Sequence, residues 1–226
     1  ERKPASRTAS GALRVSKKGE ATVNLDMGVM LHTGDMPYGD IIRYAQEAEA
    51  LGYHGFWLTE ESGKEAFSLL GVLAHETRRI NLCTGIVNFY SRSPTTLAMA
   101  ARSVHDLSGG RFGPFGLGTG GVGFMERGHG IKIERPIARA RESVEIVRAL
   151  LSQKKFSYPQ GIWYRPQDFH LREGPIDTKI PIYLAALGPQ MAEMAGKVAD
   201  GMIANWLVPE SLAIYRAQLK KGTDQA

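Results

Sequence analysis

Three short stretches of the 226-residue chain concentrate side chains able to do chemistry. Glu60 and Glu61 follow the apolar run 55–59. A carboxyl group against apolar walls holds its proton more tightly and can act as a general acid, whereas the same pair at a solvated strand end would do no more than face water. The segment 88–94, Asn-Phe-Tyr-Ser-Arg-Ser-Pro, follows a second apolar run. There the Asn88 amide offers donor and acceptor together, and Tyr90 and Arg92 bring a phenol and a guanidinium to one loop; an asparagine in a loop is also an ordinary turn former. The third stretch, Ala185-Ala186-Leu187-Gly188-Pro189-Gln190-Met191, reads as a strand-to-helix turn. Unpaired N–H groups at a helix N-terminus form an anion site, and Gly188 would let a phosphate approach the backbone. It is not a GxGxxG fingerprint, and a plain β-to-α turn accounts for the bare pattern equally well. His32, at the end of the first apolar run, is placed to reach the same mouth. It and the other histidines, His54, His75, His105, His129 and His170, lack metal-ligand spacing, so no metal is expected.

These residues need elements to hold them. Strand-like apolar runs occur at 24–31, 55–59, 80–87, 112–117, 180–186 and 201–205, separated by helical periodicities at 40–51, 64–78, 94–107, 136–151, 189–199 and 209–220. Ile41, Ile42, Ala45, Ala48 and Leu51 mark one face of the first helix, Gly52 is suited to end it, and Pro94, Pro136, Pro189 and Pro209 stand where a first helical turn tolerates proline. Alternating β and α segments imply a parallel sheet, and the reading is an α/β fold, a TIM-barrel-like (β/α) barrel whose chemistry gathers at the C-terminal ends of the strands. About six β/α units are visible where a closed barrel has eight. The expectation is a C-terminally incomplete barrel with two open edges, completed by a partner, truncated or degenerate, and prone to self-association or low stability. Residues 153–179, with alternating aromatic and polar positions, are expected to form a short hairpin insertion. Gly113-Pro114 within the fourth run demands a bulge or a damaged strand.

Composition sets further bounds. Hydrophobic content of 43% allows one sizeable core, with 24–226 read as a single domain. No window has the long uncharged apolar run of a membrane span. The net charge is +5, of which residues 1–20 carry +4, so the body is almost neutral and offers no clustered positive face for nucleic acid. The basic segment 1–23 is expected to be disordered, with a transit peptide as a second reading and no secretory signal evident. The single cysteine, Cys83, lies in an apolar run. A buried inert thiol and a reducing compartment, the cytoplasm, fit it.

Four stretches, LGYHGFWLTEE (51–61), TGIVNFYSRSPTTLAMAARSVHDLSGGRF (84–112), ERPIARARESVEIVRALL (134–151) and PIYLAALGPQMAEMAGKVADGMIANW (181–206), resemble the luciferase-like oxidoreductase superfamily. Within it they are closest to the branch of methylenetetrahydromethanopterin reductase and its F420-dependent relatives. The resemblance implies a barrel that binds coenzyme F420, or alternatively FMN, and exchanges hydride with a small organic substrate. The FMN alternative would be a monooxygenase, and a non-catalytic or truncated homologue is an alternative of another class. It further implies a bulge with a non-prolyl cis bond at Gly85–Ile86 behind the ring, Asn88 and Phe89 at the ring edge, and the cofactor phosphate at Leu187, Gly188, Gln190 and Met191. His32, Tyr90 and Arg92 would meet substrate, and Glu60 and Glu61 would be catalytic, standing where relatives often carry Asp-His. The turn Thr119-Gly120-Gly121 lacks the acidic residue of some sugar-phosphate-oxidising relatives, which disfavours that substrate class. A homo-oligomer, a dimer, is implied as well.

Overall fold

A computed structural model describes residues 14–15, 21–22, 26–153 and 155–226. Most of the basic segment 1–23, with the disorder expected for it, lies outside the described residues. Within it, Arg14–Val15 pairs antiparallel with Ala21–Thr22.

Six strands form one sheet: β1 (Gly28–Leu31), β2 (Gly55–Leu58), β3 (Asn81–Asn88), β4 (Phe112–Gly118), β5 (Ile182–Ala185) and β6 (Gly201–Ile203). They pair in sequence order, every neighbour parallel, as a curled half-barrel with helices against it. Between them run α1 (Tyr38–Ala50), α2 (Ala66–Glu76), α3 (Pro94–Leu107), α4 (Val122–His129), α5 (Pro136–Ser152) and α6 (Pro189–Val198). A 3-10 turn at Pro209–Ser211 then leads into α7 (Leu212–Thr223). The fold is therefore the incomplete TIM-barrel-like one expected; β1 and β6 each pair on one side only among the described residues.

The hydrophobic faces explain the layering. Leu69, Leu70 and Leu73 of α2, Leu97, Ala98 and Ala101 of α3, and Val144, Val147 and Leu150 of α5 are buried with Phe56, Leu58, Leu82, Phe115, Leu117, Ile182 and Leu184 from the strands. Small residues let α6 and α7 meet backbone to backbone. A Cβ on Gly222 would stand 2.0 Å from the Glu193 carbonyl oxygen, and one on Gly196 2.1 Å from that of Leu219. Cys83 is fully buried, and burial pushes its thiol pKa far up.

Strands β3 and β4 are out of step at two places, between Leu82 and Thr84 and between Thr84 and Val87. The first coincides with a cis Gly113–Pro114 bond, so the proline inside β4 is accommodated by a bulge and the strand still runs seven residues. The Thr84 hydroxyl donates to the Gly116 carbonyl at 2.9 Å and accepts from the Gly116 N–H at 2.8 Å, restoring hydrogen bonds that the shifted ladder gives up.

Two expectations differ from the structure. Helix α4 is not among the helical periodicities read from the sequence: Gly123 and Gly128 dilute its pattern, and Met125 is its one buried residue. The segment 153–179 holds no hairpin of strands among its described residues, only one antiparallel bridge, Phe156 with Phe169. It is fastened by side chains of α5 instead. The Glu142 carboxylate accepts the N–H groups of Ile162, Trp163 and Tyr164, and the Arg139 guanidinium stands over the rings of Tyr90, Trp163 and Tyr164.

Candidate active site

A cavity of about 690 Å³ opens at the C-terminal ends of the strands, within the range of ligand sites. β1 contributes Met30 and His32; β2 contributes Thr59, Glu60 and Glu61; β3 contributes Gly85 and Ile86. From β4 come Thr119, Gly120 and Gly121, from β5 Ala185, Leu187 and Gly188, and from β6 Ile203, Ala204 and Asn205. Ile133, Pro136 and Ile137 close one side. The lining is mainly apolar. Its ionisable side chains among the described residues are His32, Glu60 and Glu61.

The Gly85–Ile86 peptide is cis. The Ile86 side chain lies over Gly118, where an added Cβ would fall 2.9 Å from Ile86 Cδ1 and Cγ1, so glycine there is a condition of that placement. Met30 packs against Gly85, its Cε 2.7 Å from where a Gly85 Cβ would be. The wall at Met30, Gly85 and Ile86 is thus apolar.

Helix α6 points its N-terminus at the cavity. Gly188 caps it without a side-chain hydrogen bond, a Cβ there would meet nothing within 4 Å, and Gln190 and Met191 line the cavity. Helix α4 starts the same way from Gly121, and α5 starts beside the cavity at Pro136 with no side-chain cap. By contrast, the first turns of α2 and α3 are capped by Glu65 and Ser93. Three uncapped helix N-termini around one cavity give it a positive end without a lysine or arginine in its lining.

The two glutamates have different surroundings. The Glu60 side chain is only 7% exposed. It pairs with Arg92, whose Nη2 donates to Oε2 at 2.8 Å, and it accepts the Ala66 N–H. Arg92 also donates to Glu65 and stands over the Phe67 ring. Burial disfavours the charged guanidinium, but Glu60 and Glu65 outweigh it and hold Arg92 above its ordinary pKa. Glu60 is thereby anchored by Arg92 and the Ala66 N–H. Glu61 is exposed and 3.4 Å from His32 Nδ1.

Of the expected site residues, His32, Glu60, Glu61, Gly85, Ile86, Leu187, Gly188, Gln190 and Met191 are brought together around the cavity. Asn88, Phe89, Tyr90 and Arg92 are not among its lining residues. The Asn88 Oδ1 accepts from the N–H groups of Tyr90 and Ser91, turning the chain so that Phe89 is fully buried, and the Tyr90 hydroxyl donates to the Glu134 carbonyl. Burial, with Glu134 nearby, raises the Tyr90 pKa despite Arg139. Sequence reasoning passed over Thr59, Ala204 and Asn205, and read Thr119–Gly121 only for the acidic residue it lacks. Their signal was position: all lie within three residues of a strand's C-terminal end. Among the described residues no cluster of His, Cys, Asp or Glu could hold a metal ion, and no helix is long and apolar enough to cross a membrane.

This geometry has relatives. A 5,10-methylenetetrahydromethanopterin reductase of Archaeoglobus fulgidus is 33% identical over 194 residues, covering 85% of this chain and 57% of that protein. The chain thus spans a little over half the length of this relative. The structure of the coenzyme F420-dependent tetrahydromethanopterin reductase from Methanopyrus kandleri superposes with a TM-score of 0.80 at 24% identity, over 89% of this chain and 61% of that one. An F420-dependent secondary alcohol dehydrogenase, in complex with an F420-acetone adduct, gives 0.82 at 20% identity, over 89% and 64%. At those identities the two structures speak for the fold alone. The profile of luciferase-like monooxygenases matches residues 23–226, and the chain belongs to that family.

Proposed function

We propose that this chain is the cofactor-binding part of an F420-dependent oxidoreductase that transfers hydride between the deazaflavin and a small organic substrate. The observation that carries the reading is the cavity that joins an apolar wall of Met30, Gly85 and Ile86 to three uncapped helix N-termini. A planar ring is suited to the apolar wall, and an anionic group to the open turn at Gly188. Sequence similarity to relatives described as coenzyme F420-dependent enzymes supports the deazaflavin over FMN.

In this reading Ile86 and Met30 back the ring, while the N–H groups of Gln190 and Met191, with Gly188 leaving room, hold the phosphate. Bound coenzyme F420 supplies a carbon that accepts or gives hydride. The apolar lining from Ile133, Ile137, Leu187 and Ile203 excludes water from the transfer. Among the described residues the lining holds no lysine or arginine, so apart from the proposed phosphate site an uncharged substrate suits it. A dimer and a reducing compartment belong to the same proposal.

The test is a fluorescence titration of the full chain with oxidised F420 and, separately, FMN at one ionic strength. F420 should bind more tightly. Gln190→Glu, which sets a negative charge in the first turn of α6, should weaken F420 about tenfold, as expected for a loss of about 1–2 kcal/mol at a helix N-terminus. Tighter FMN binding would move the protein to the monooxygenase reading, and an unchanged Gln190→Glu affinity would remove the phosphate from α6.

A further inference from the structure

We infer that His32 is the proton-exchanging residue of the cavity, held as the Nδ1–H tautomer by Glu61 and Thr59 so that Nε2 is its proton acceptor. The inference rests on the oxidoreductase reading for its role but on geometry for its existence. Of the three ionisable side chains in the lining, Glu60 is already committed to Arg92 and the Ala66 N–H. His32 and Glu61 remain, brought from the ends of β1 and β2 to 3.4 Å.

Both neighbours of Nδ1 present acceptors. Glu61 Oε1 is a carboxylate oxygen, which can only accept. Thr59 Oγ1, 3.2 Å away, has the Leu31 carbonyl within reach at 3.4 Å for its own proton, leaving a lone pair toward the imidazole. The hydrogen bond made by one ring nitrogen sets the state of the other. With Nδ1 donating, neutral His32 has its lone pair on Nε2, which has no hydrogen-bond partner among the described residues. The pair is solvated, with both side chains about two-thirds exposed, so a proton taken up can pass on to water.

Oxidation of an alcohol balances as follows. Bound F420 would supply the hydride acceptor for the C–H electron pair; as the C=O bond forms, the O–H proton would pass to His32 Nε2 and from the imidazolium to solvent. Reduction of the carbonyl runs the same path backward. In these terms His32 is catalytic, and Glu61 and Thr59 are positioning residues.

The test is long-range ¹H–¹⁵N NMR of histidine-labelled full chain at alkaline pH, where imidazoles are neutral, with His32→Gln assigning the signal. Wild type should show Nδ1 protonated and Nε2 bare. Glu61→Ala should shift the population severalfold toward Nε2–H, and Thr59→Val with Glu61→Ala should shift it further. A wild-type Nε2–H majority, or a population indifferent to both variants, overturns the inference. Oxidised F420 is then added, with fluorescence reporting occupancy. Movement of the Nε2 resonance supports the assigned role. Binding without any movement overturns that role and leaves the cofactor reading intact. No binding beside the expected tautomer overturns the cofactor reading and supports the pair.

Discussion

Removing Arg92 tests how the mouth of the cavity is held. Its guanidinium is 17% exposed and the Glu60 carboxylate 7%, and Arg92 also reaches Glu65 at 2.7 Å. Truncation to Met leaves Glu60 a buried charge with only the Ala66 N–H. Breaking a buried pair costs about 3–5 kcal/mol, and the low end applies here because the site adjoins an open cavity. For a chain of this size each kcal/mol moves Tm by about 2–4 °C, so Arg92→Met should melt roughly 6–12 °C below wild type. The loss should extend to the site, since the Glu60 N–H donates to the Ile86 carbonyl at 3.2 Å and the pair steadies that strand end. Replacing both partners by apolar groups removes the stranded charge, so Glu60→Leu with Arg92→Met should recover to within about 1 kcal/mol of wild type. Calorimetry on wild type, both single variants and the double variant gives the cycle. A single Arg92→Met that melts within about 2 °C of wild type, or a double variant that costs the sum of the singles, would refute the reasoning.

Two further outcomes are expected. Gly118→Ala should push the Ile86 side chain toward the cavity, because its Cβ falls 2.9 Å from that side chain, and should weaken F420 about tenfold in titration while Tm changes by no more than a few degrees. Asp200 should make stability acid-sensitive. Burial raises its pKa, but Lys179, the Ile182 N–H and Arg148 outweigh burial and lower it, so the stabilisation is complete above the unfolded pKa of about 3.9 and is lost as pH falls through the depressed folded value. Urea melts of wild type and Asp200→Asn across that range should converge at the acid end; a constant gap would refute the assignment.

The elements were legible where one physical signal dominated. Apolar runs located all six strands, and Pro94, Pro136 and Pro189 marked helix starts to the residue. Helix α4 was illegible because its buried surface amounts to little beyond Met125. The segment around Phe156 and Phe169 misled because its aromatic alternation serves contacts with α5, not a ladder. The loop after β3 shows the same limit at the site. Residue type alone cannot tell that Asn88 spends its Oδ1 on a turn, or that Arg92 finds two carboxylates from another loop. The expected residues that do line the cavity lie within or just after a strand or open a helix, where topology fixes direction.

The close seating of Gly196 against Gly222 makes α7 a mechanical reference for the cavity it never touches. Helix α6 aims its first turn at the proposed anion site, its far half rests on α7 with no side chain between, and the Tyr215 hydroxyl of α7 holds the Leu187 carbonyl at the rim at 2.9 Å. Any bulk inserted at that glycine contact levers α6 about its middle and swings the amide end away from its target. The alignment of the site is therefore set partly on the outer surface of the molecule, where a survey of ligand-lining residues would not look for it.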